Sequence, residues 1–130
     1  MSYSTQSVAY REREVLTASP ARLVVLTYEH ALSNLLRARR AVQTGNIEDR
    51  VVAVGKARDA IMELLVALNM EQGGQIAQNL KSLYSFVINE LSDVARRSDG
   101  ARLEAVIKIV TELHDAFATI ARDSAHVTAA

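Results

Sequence analysis

The chain has 130 residues but no cysteine, no tryptophan and only one proline. Without cysteine there can be no disulfide, no thiolate metal site and no thiol nucleophile, and the composition suits a reducing compartment. One proline and five glycines leave little punctuation for the tight turns of a small all-β domain; that scarcity points to a few long helices. An excess of one charge is missing too. Fifteen Lys and Arg residues balance fifteen Asp and Glu residues, so no global field draws the chain to nucleic acid or to an acidic membrane surface. The densest apolar stretch, Leu23 to Leu26, is far short of the roughly 20 residues of a membrane helix. Met1 to Arg13 is polar, without the apolar run of a signal peptide. The expectation is a cytoplasmic protein with neither membrane nor nucleic acid as a partner.

What the chain does contain is helical periodicity. Apolar residues make up 49% and charged residues 23%, ordinary proportions for a globular protein, and the length suits one domain over residues 1–130. Residues 1–16 are aperiodic and read as a flexible, loosely attached segment with Val8, Tyr10, Val15 and Leu16 as its sticky points. Ser19-Pro20 reads as a helix start: serine caps orphan backbone donors, and proline at the first helical position loses no needed one. Val24, Tyr28, Ala31, Leu35, Ala38 and Val42 then form one stripe, widened by Leu32 and Leu36. Arg37, Arg39 and Arg40 fall near its end, where cations complement the helix dipole, and Gly45 is the expected stop.

Asn46 is placed to cap a second helix, with Glu48 and Asp49 in its first turn. Its stripe is Ile47, Val51, Val54, Ile61, Leu65 and Leu68, with Leu64 beside it; Arg58 falls on the same stripe and Gly55 lies mid-helix. Asn69 to Gly74 interrupts the pattern. A third stripe runs through Ile76, Leu80, Leu83 or Tyr84, Val87, Leu91 and Val94. Ser98-Asp99-Gly100 is a turn, and the fourth stripe is Leu103, Val106, Val110, Leu113, Phe117 and Ile120. Residues 124–130 read as a frayed tail. Matched stripes and short turns predict an all-α, antiparallel up-down-up-down four-helix bundle.

Catalytic chemistry finds no foothold. No glutamate is followed three residues on by a histidine, the pattern of di-iron bundles, and His30, His114 and His126 are scattered. Neither a metal nor any other cofactor is expected. Gly73-Gly74-Gln75 repeats the tripeptide of the catalytic loop of translation release factors, but it lies between helical stripes of a neutral chain and reads as a turn whose glycines allow unusual backbone angles or close packing. Phosphate loops need a Lys-Ser/Thr that this segment lacks. The arginine groups Arg37/Arg39/Arg40 and Arg96/Arg97 are the best nucleic-acid candidates, and dipole pairing suffices to explain them. A non-enzymatic interaction protein remains.

Three blocks carry a resemblance. The first is Tyr10, Val15-Leu16-Thr17-Ala18-Ser19-Pro20, Leu23 and Tyr28-Glu29-His30-Ala31-Leu32. The second runs from Leu68-Asn69-Met70-Glu71-Gln72-Gly73-Gly74-Gln75-Ile76-Ala77-Gln78-Asn79-Leu80 to Leu83-Tyr84, and the third is Glu112-Leu113-His114-Asp115-Ala116-Phe117. In order and spacing, from residue 10 to about 120, they resemble the flagellin-specific export chaperones, the FliS family. Its pattern has Leu-Tyr-Asp-Gly-Ala in the first block, Leu-Asp-x-Glu-x-Gly-Gly-x-Ile-Ala-x-Asn-Leu in the second and often Glu-Leu-Arg-x-Ala-Trp in the third. This chain departs at Glu29, His30, Asn69, His114 and Phe117, and the His30 and Phe117 departures bear on partner specificity more than on fold.

The resemblance implies a cytosolic chaperone that binds the disordered C-terminal region of flagellin, prevents its early polymerisation and helps deliver it to the flagellar type III export gate. Flagellin's terminal segments expose apolar faces until they fold in the filament, which makes them an association hazard. The free protein is expected to be a monomer or a weak homodimer. The reading from another class is a self-associating structural or regulatory bundle with no export client. For contact with flagellin the resemblance singles out Tyr10, Val15, Leu16, Leu68, Met70, Ile76, Asn79, Leu80 and Tyr84, each with an alternative. Tyr10 is a plug over an apolar groove or a loose-tail residue. Val15 and Leu16 staple the first helix or meet the partner. Leu68, Ile76, Leu80 and Tyr84 obey the stripe and so also fit the core. Met70 fills a turn or offers an adaptable contact, and Asn79 bonds a partner's backbone or faces water. Gly73 and Gly74 shape the turn.

Overall fold

A computed structural model of the chain describes residues 20–129, with side chains from residue 20 to residue 123. Four helices follow one another: α1 (Pro20–Thr44), α2 (Ile47–Val66), α3 (Met70–Arg97) and α4 (Gly100–Ala129). Each packs on its sequence neighbours, and α4 closes the ring against α1. Residues that meet across the seams run in opposite directions. Arg39 of α1 bonds Glu104 of α4 while Glu29 meets His114, and Arg50 and Arg58 of α2 reach Ala95 and Ser92 of α3. The result is the antiparallel bundle that the stripes predict. Its backbone stays helical to Ala129, past Ser124, where the sequence places a frayed tail. The aperiodic segment 1–16 lies outside the described residues.

The turns follow from local chemistry. Gly45 takes a positive φ of 70°. Its N–H bonds the Val42 carbonyl at 3.3 Å and the Asn46 N–H bonds the Ala41 carbonyl at 2.9 Å, the paired contacts of a Schellman ending. Asn46 then turns its side chain to the next helix, its Oδ1 accepting from the Asp49 N–H at 3.0 Å. Asn69 repeats this for α3 by accepting from the Gln72 N–H at 3.0 Å. Asp99 accepts from the Arg102 N–H at 3.0 Å to begin α4, and that bond, with Arg102's guanidinium, holds the Asp99 carboxyl below the usual carboxylate range.

α3 is broken near its start. Gly74 sits at φ 53°, ψ −128°, a region open essentially to glycine. The break lies before the whole third stripe, which keeps one phase from there on, and of the expected stripe Ile76 alone departs, because Ala77 lies closer to the direction of Tyr84. Ala77, Tyr84, Val87, Leu91 and Val94 are buried, whereas Ile76 is 71% exposed. Gly73 is needed for a different reason: a Cβ there would stand 2.6 Å from the Ala77 Cβ.

The core is built on small residues as much as on large ones. Ala31, Ala38 and Ala41 of α1 and Ala53, Ala57 and Ala60 of α2 are buried, so these two helices approach closely. The bulky positions expected to lead α2 inward, Ile47 and Val51, are 64% and 48% exposed, and Leu36 of α1 and Ile120 of α4 are also exposed. Val24, Leu32, Val42, Leu65, Leu68, Leu80, Leu113 and Phe117 pack against the core half-buried. Arg37, Arg39 and Arg40 lie before the last turn of α1, which carries no basic residue. Arg37 and Arg39 act through ion pairs to Asp49 and Glu104 instead.

Two glycines of one chain should respond in opposite directions to the same change. Gly74→Ala should lose roughly 1–3 kcal/mol because its backbone angles exclude a side chain. Gly55→Ala, where an added Cβ meets nothing within 4 Å, should gain roughly 0.5–1 kcal/mol from helix propensity. Urea denaturation of the two variants beside the parent checks both signs.

Candidate partner-binding surface

The middle of the bundle is set by an aromatic level. Tyr28 of α1 and Tyr84 of α3 are buried at 0% and 2% exposure, with ring centroids 6.4 Å apart and their hydroxyls hydrogen-bonded to each other. Phe117 of α4 stacks on Tyr28 with centroids 5.4 Å apart. Burial pushes both phenols above the ordinary tyrosine range, so the pair stays neutral and each hydroxyl needs a partner. Nearby, buried Asn34 donates to the His30 carbonyl at 3.0 Å.

The residues expected to meet flagellin separate into groups. Tyr10, Val15 and Leu16 lie outside the described residues. Tyr84 is a core residue: its ring and hydroxyl are committed to Tyr28, so the free surface does not include it. Leu68, Met70 and Leu80 are half-buried, and Leu68 and Leu80 rest on the core. Ile76 and Asn79 are exposed. Asn79 Oδ1 accepts from Gln75 Nε2 at 2.9 Å, which leaves its amide nitrogen free to donate elsewhere. Gly73 and Gly74 form the break described above rather than a loop between helices.

A surface absent from the predicted residues lies on the outward side of α2. Val52, Met62 and Val66 are 46%, 45% and 83% exposed. Asp59, Met62, Glu63, Val66 and Ala67 line an open, mostly apolar depression of about 500 Å³. Val66 stands just before the α2–α3 turn and Ile76 soon after it, so apolar side chains gather at this end of the bundle. The signal was present in the sequence. Val52, Met62 and Val66 follow spacings of ten and four, a sparse second apolar stripe behind the core-facing one, with Asp59 on the same face. Apolar residues on two faces of a helix in so small a bundle mean that one face lacks a partner among the described residues.

Charged groups outside this surface are mostly used internally. Arg102 of α4 reaches Glu90 at 3.0 Å and Asp93 at 3.2 Å on α3, and Asp99 at 3.3 Å. Arg39 forks onto Glu104 with bonds of 2.6 and 2.9 Å, and Arg96 pairs with Asp93. Arg58, unexpected on an apolar stripe, spans the α2–α3 seam to Ser92 Oγ at 3.3 Å while its stem covers apolar surface. Among the described residues no group of three His, Asp or Glu side chains could hold a metal ion, and no helix is long and apolar enough to cross a membrane.

A family profile described as "Flagellar protein FliS" matches residues 2–124. The chain is 34% identical to the flagellar secretion chaperone FliS of Vibrio cholerae over 92% of its length and 88% of that protein's. It is equally identical to the Salmonella typhimurium chaperone of the same name, over 84% of this chain and 82% of that one. A solved structure described as a flagellar chaperone from bacteria superposes with a TM-score of 0.74, covering 91% of this chain and 98% of the other at 15% identity; at that identity the likeness concerns the fold.

The hydroxyl pair makes a quantitative claim about the core. Tyr28→Phe or Tyr84→Phe alone leaves one buried hydroxyl without its partner and should destabilise by about 1–3 kcal/mol. The double variant should lose clearly less than the sum of the two. A double-mutant cycle by urea denaturation checks this; simple additivity would show the two hydroxyls to be energetically independent.

Proposed function

The chain belongs to the flagellar protein FliS family, and from that premise we propose that this flagellar export chaperone takes the disordered C-terminal region of flagellin as its client, acting in the cytoplasm. In this reading it keeps the client's apolar segments apart before export and assists their delivery to the flagellar type III export gate. It works by binding alone, without cofactor or catalysis.

The observation that carries the reading is the second apolar face of α2. Val52, Met62 and Val66, the adjoining depression and Ile76 across the α2–α3 turn offer exposed apolar side chains. A client helix presenting apolar residues at i, i+3/i+4 and i+7 would cover them, the helix-in-groove mode. Met62 suits such a role because an unbranched thioether adapts to more than one packing. Asp59 and Glu63, on the rim of the depression, would fix orientation rather than supply most of the affinity. Leu68, Met70, Leu80 and Asn79 border the same end and are proposed as its margin. Tyr10, Val15 and Leu16 are proposed as an apolar cover that the client displaces.

Calorimetry of the whole protein against a peptide of flagellin's C-terminal region tests the reading. A one-to-one complex is expected. Met62→Asp combined with Val66→Asp should weaken it at least tenfold, a loss of about 1.4 kcal/mol or more, with helicity unchanged because neither side chain belongs to the core. Full-strength binding by that variant would move the client elsewhere on the bundle. No binding by the parent, together with self-association abolished by the same two changes, would favour the self-associating bundle.

A further inference from the structure

We infer that His114 is a proton-operated latch between α4 and α1, holding the outer half of α4 on the bundle when the imidazole is charged and releasing it when the imidazole is neutral. Its Nε2 lies 3.1 Å from Glu29 Oε2 on α1, and its Nδ1 lies 3.0 Å from Asp115 Oδ1 on its own helix. Only the imidazolium carries a proton on both nitrogens, so only the charged form donates to both carboxylates at once. The neutral ring must turn a lone pair toward one of them, and two carboxylates then face each other across the seam without a cation between them.

The position makes the change consequential. On α4 the buried apolar residues among those described are Leu103, Val106, Ile107 and Val110, and none lies beyond Val110. From there outward, among the described residues, the helix is held chiefly by Leu113 and Phe117, both half-buried, and by His114. Glu29 directly follows Tyr28, and His114 stands one turn before Phe117, whose ring stacks on Tyr28. The latch therefore closes over the edge of the aromatic level. A segment with so little apolar burial sits at the low end of local stability, where one ion pair shifts the opening equilibrium measurably.

Partial burial, with 20% of the side chain exposed, pulls the imidazole toward neutrality. The hydrogen bonds and charges of Asp115 and Glu29 outweigh that and leave it above the ordinary histidine value. Among the described residues, Glu29 from α1 and Asp115 from α4 are the charges that act on it. His30, the neighbouring titratable group on α1, is turned to Asn34. A histidine value raised by folding means that the latch is fully closed below the unfolded value, near 6.5. It weakens as pH rises through the higher folded value.

Amide hydrogen exchange over α4 residues 111–123, followed from pH 6 to 8.5 and referenced to α2 amides of the same sample, tests the latch. Opening of the outer half of α4 relative to α2 should increase as pH rises through the His114 midpoint, read independently by NMR. The increase should approach about tenfold for each unit by which the midpoint exceeds that of the opened helix. His114→Arg, a permanent cation, should keep the segment closed throughout. His114→Gln should leave it open throughout, and Glu29→Gln should lower the midpoint and shrink the step, whereas His30→Gln should leave both unchanged. A parent protein without the step, or a step that survives in His114→Arg, would overturn the inference.

Discussion

One contact crosses the bundle diagonally, and the spacing of the helices depends on it. α1 and α3 are not neighbours in the ring, yet Tyr28 and Tyr84 meet hydroxyl to hydroxyl in the core. Two tyrosines end to end are long enough to span what shorter side chains would leave as a void, and a void in a packed interior is destabilising. The same pair fixes direction as well as distance. Burial removes water from both hydroxyls, so each must find the other, and a hydrogen bond tolerates far less sliding than an apolar contact. Phe117 stacked on Tyr28 brings α4 to this level. Three helices are thus registered at one height, and the polar pair gives the core a specificity that leucine and valine alone would not.

Away from that level the helices are drawn together by different means on different sides. The α1–α2 seam is lined by buried alanines, whose small side chains let the backbones approach. Having spent its small residues inward, α2 is left with valines and a methionine on the outside, where no other described residue buries them. The export-chaperone reading gives these residues a use: an apolar face held rigid on one helix of a closed bundle is ready to receive a client segment and need not be ordered on binding, which reduces the entropy lost when the complex forms.

Much of this was legible in the sequence. The caps at Asn46 and the stop at Gly45 are local chemistry and appear where the residues place them. The stripes of α1 and α4 depend on an unbroken 3.6-residue period and survive in their inner portions. α3 followed its expected stripe except at Ile76: counted back from Tyr84 at 3.6 residues per turn, Ala77 lies nearly in line with the core and Ile76 well to one side, so the bulkier residue was chosen over the better-placed one. α2 misled for another reason. Hydrophobicity ranks valine and isoleucine above alanine as core residues, whereas close helix packing at this seam selects alanine. Arg58 on the apolar stripe resolves in the same terms: its stem lies along the seam and its guanidinium reaches Ser92. As for the candidate site, its α3 margin could be named from a sequence resemblance, while the face of α2 could not, because whether an apolar stripe is buried depends on what the rest of the chain places over it.

Charge completes the division of labour, and it is concentrated on α4. Arg102 gathers Glu90, Asp93 and Asp99 where α3 turns into α4, Glu104 takes the fork of Arg39, and His114 meets Glu29 farther along. The first two clusters use guanidinium groups, which stay charged at any physiological pH. They sit beside the deeply buried part of α4, so the inner half is fixed by permanent charge and by apolar packing together. The outer half is held less firmly: among the described residues Leu113 and Phe117 pack half-buried against the core, Arg122 reaches Thr119 on its own helix, and the cation at the α1 seam is titratable. A helix held this unevenly does not open as a unit. Its inner half shares the cooperativity of the core, and its outer half answers to a single proton, which places the adjustable part of the bundle beside Tyr28 and Phe117, at the edge of the aromatic level that registers the rest.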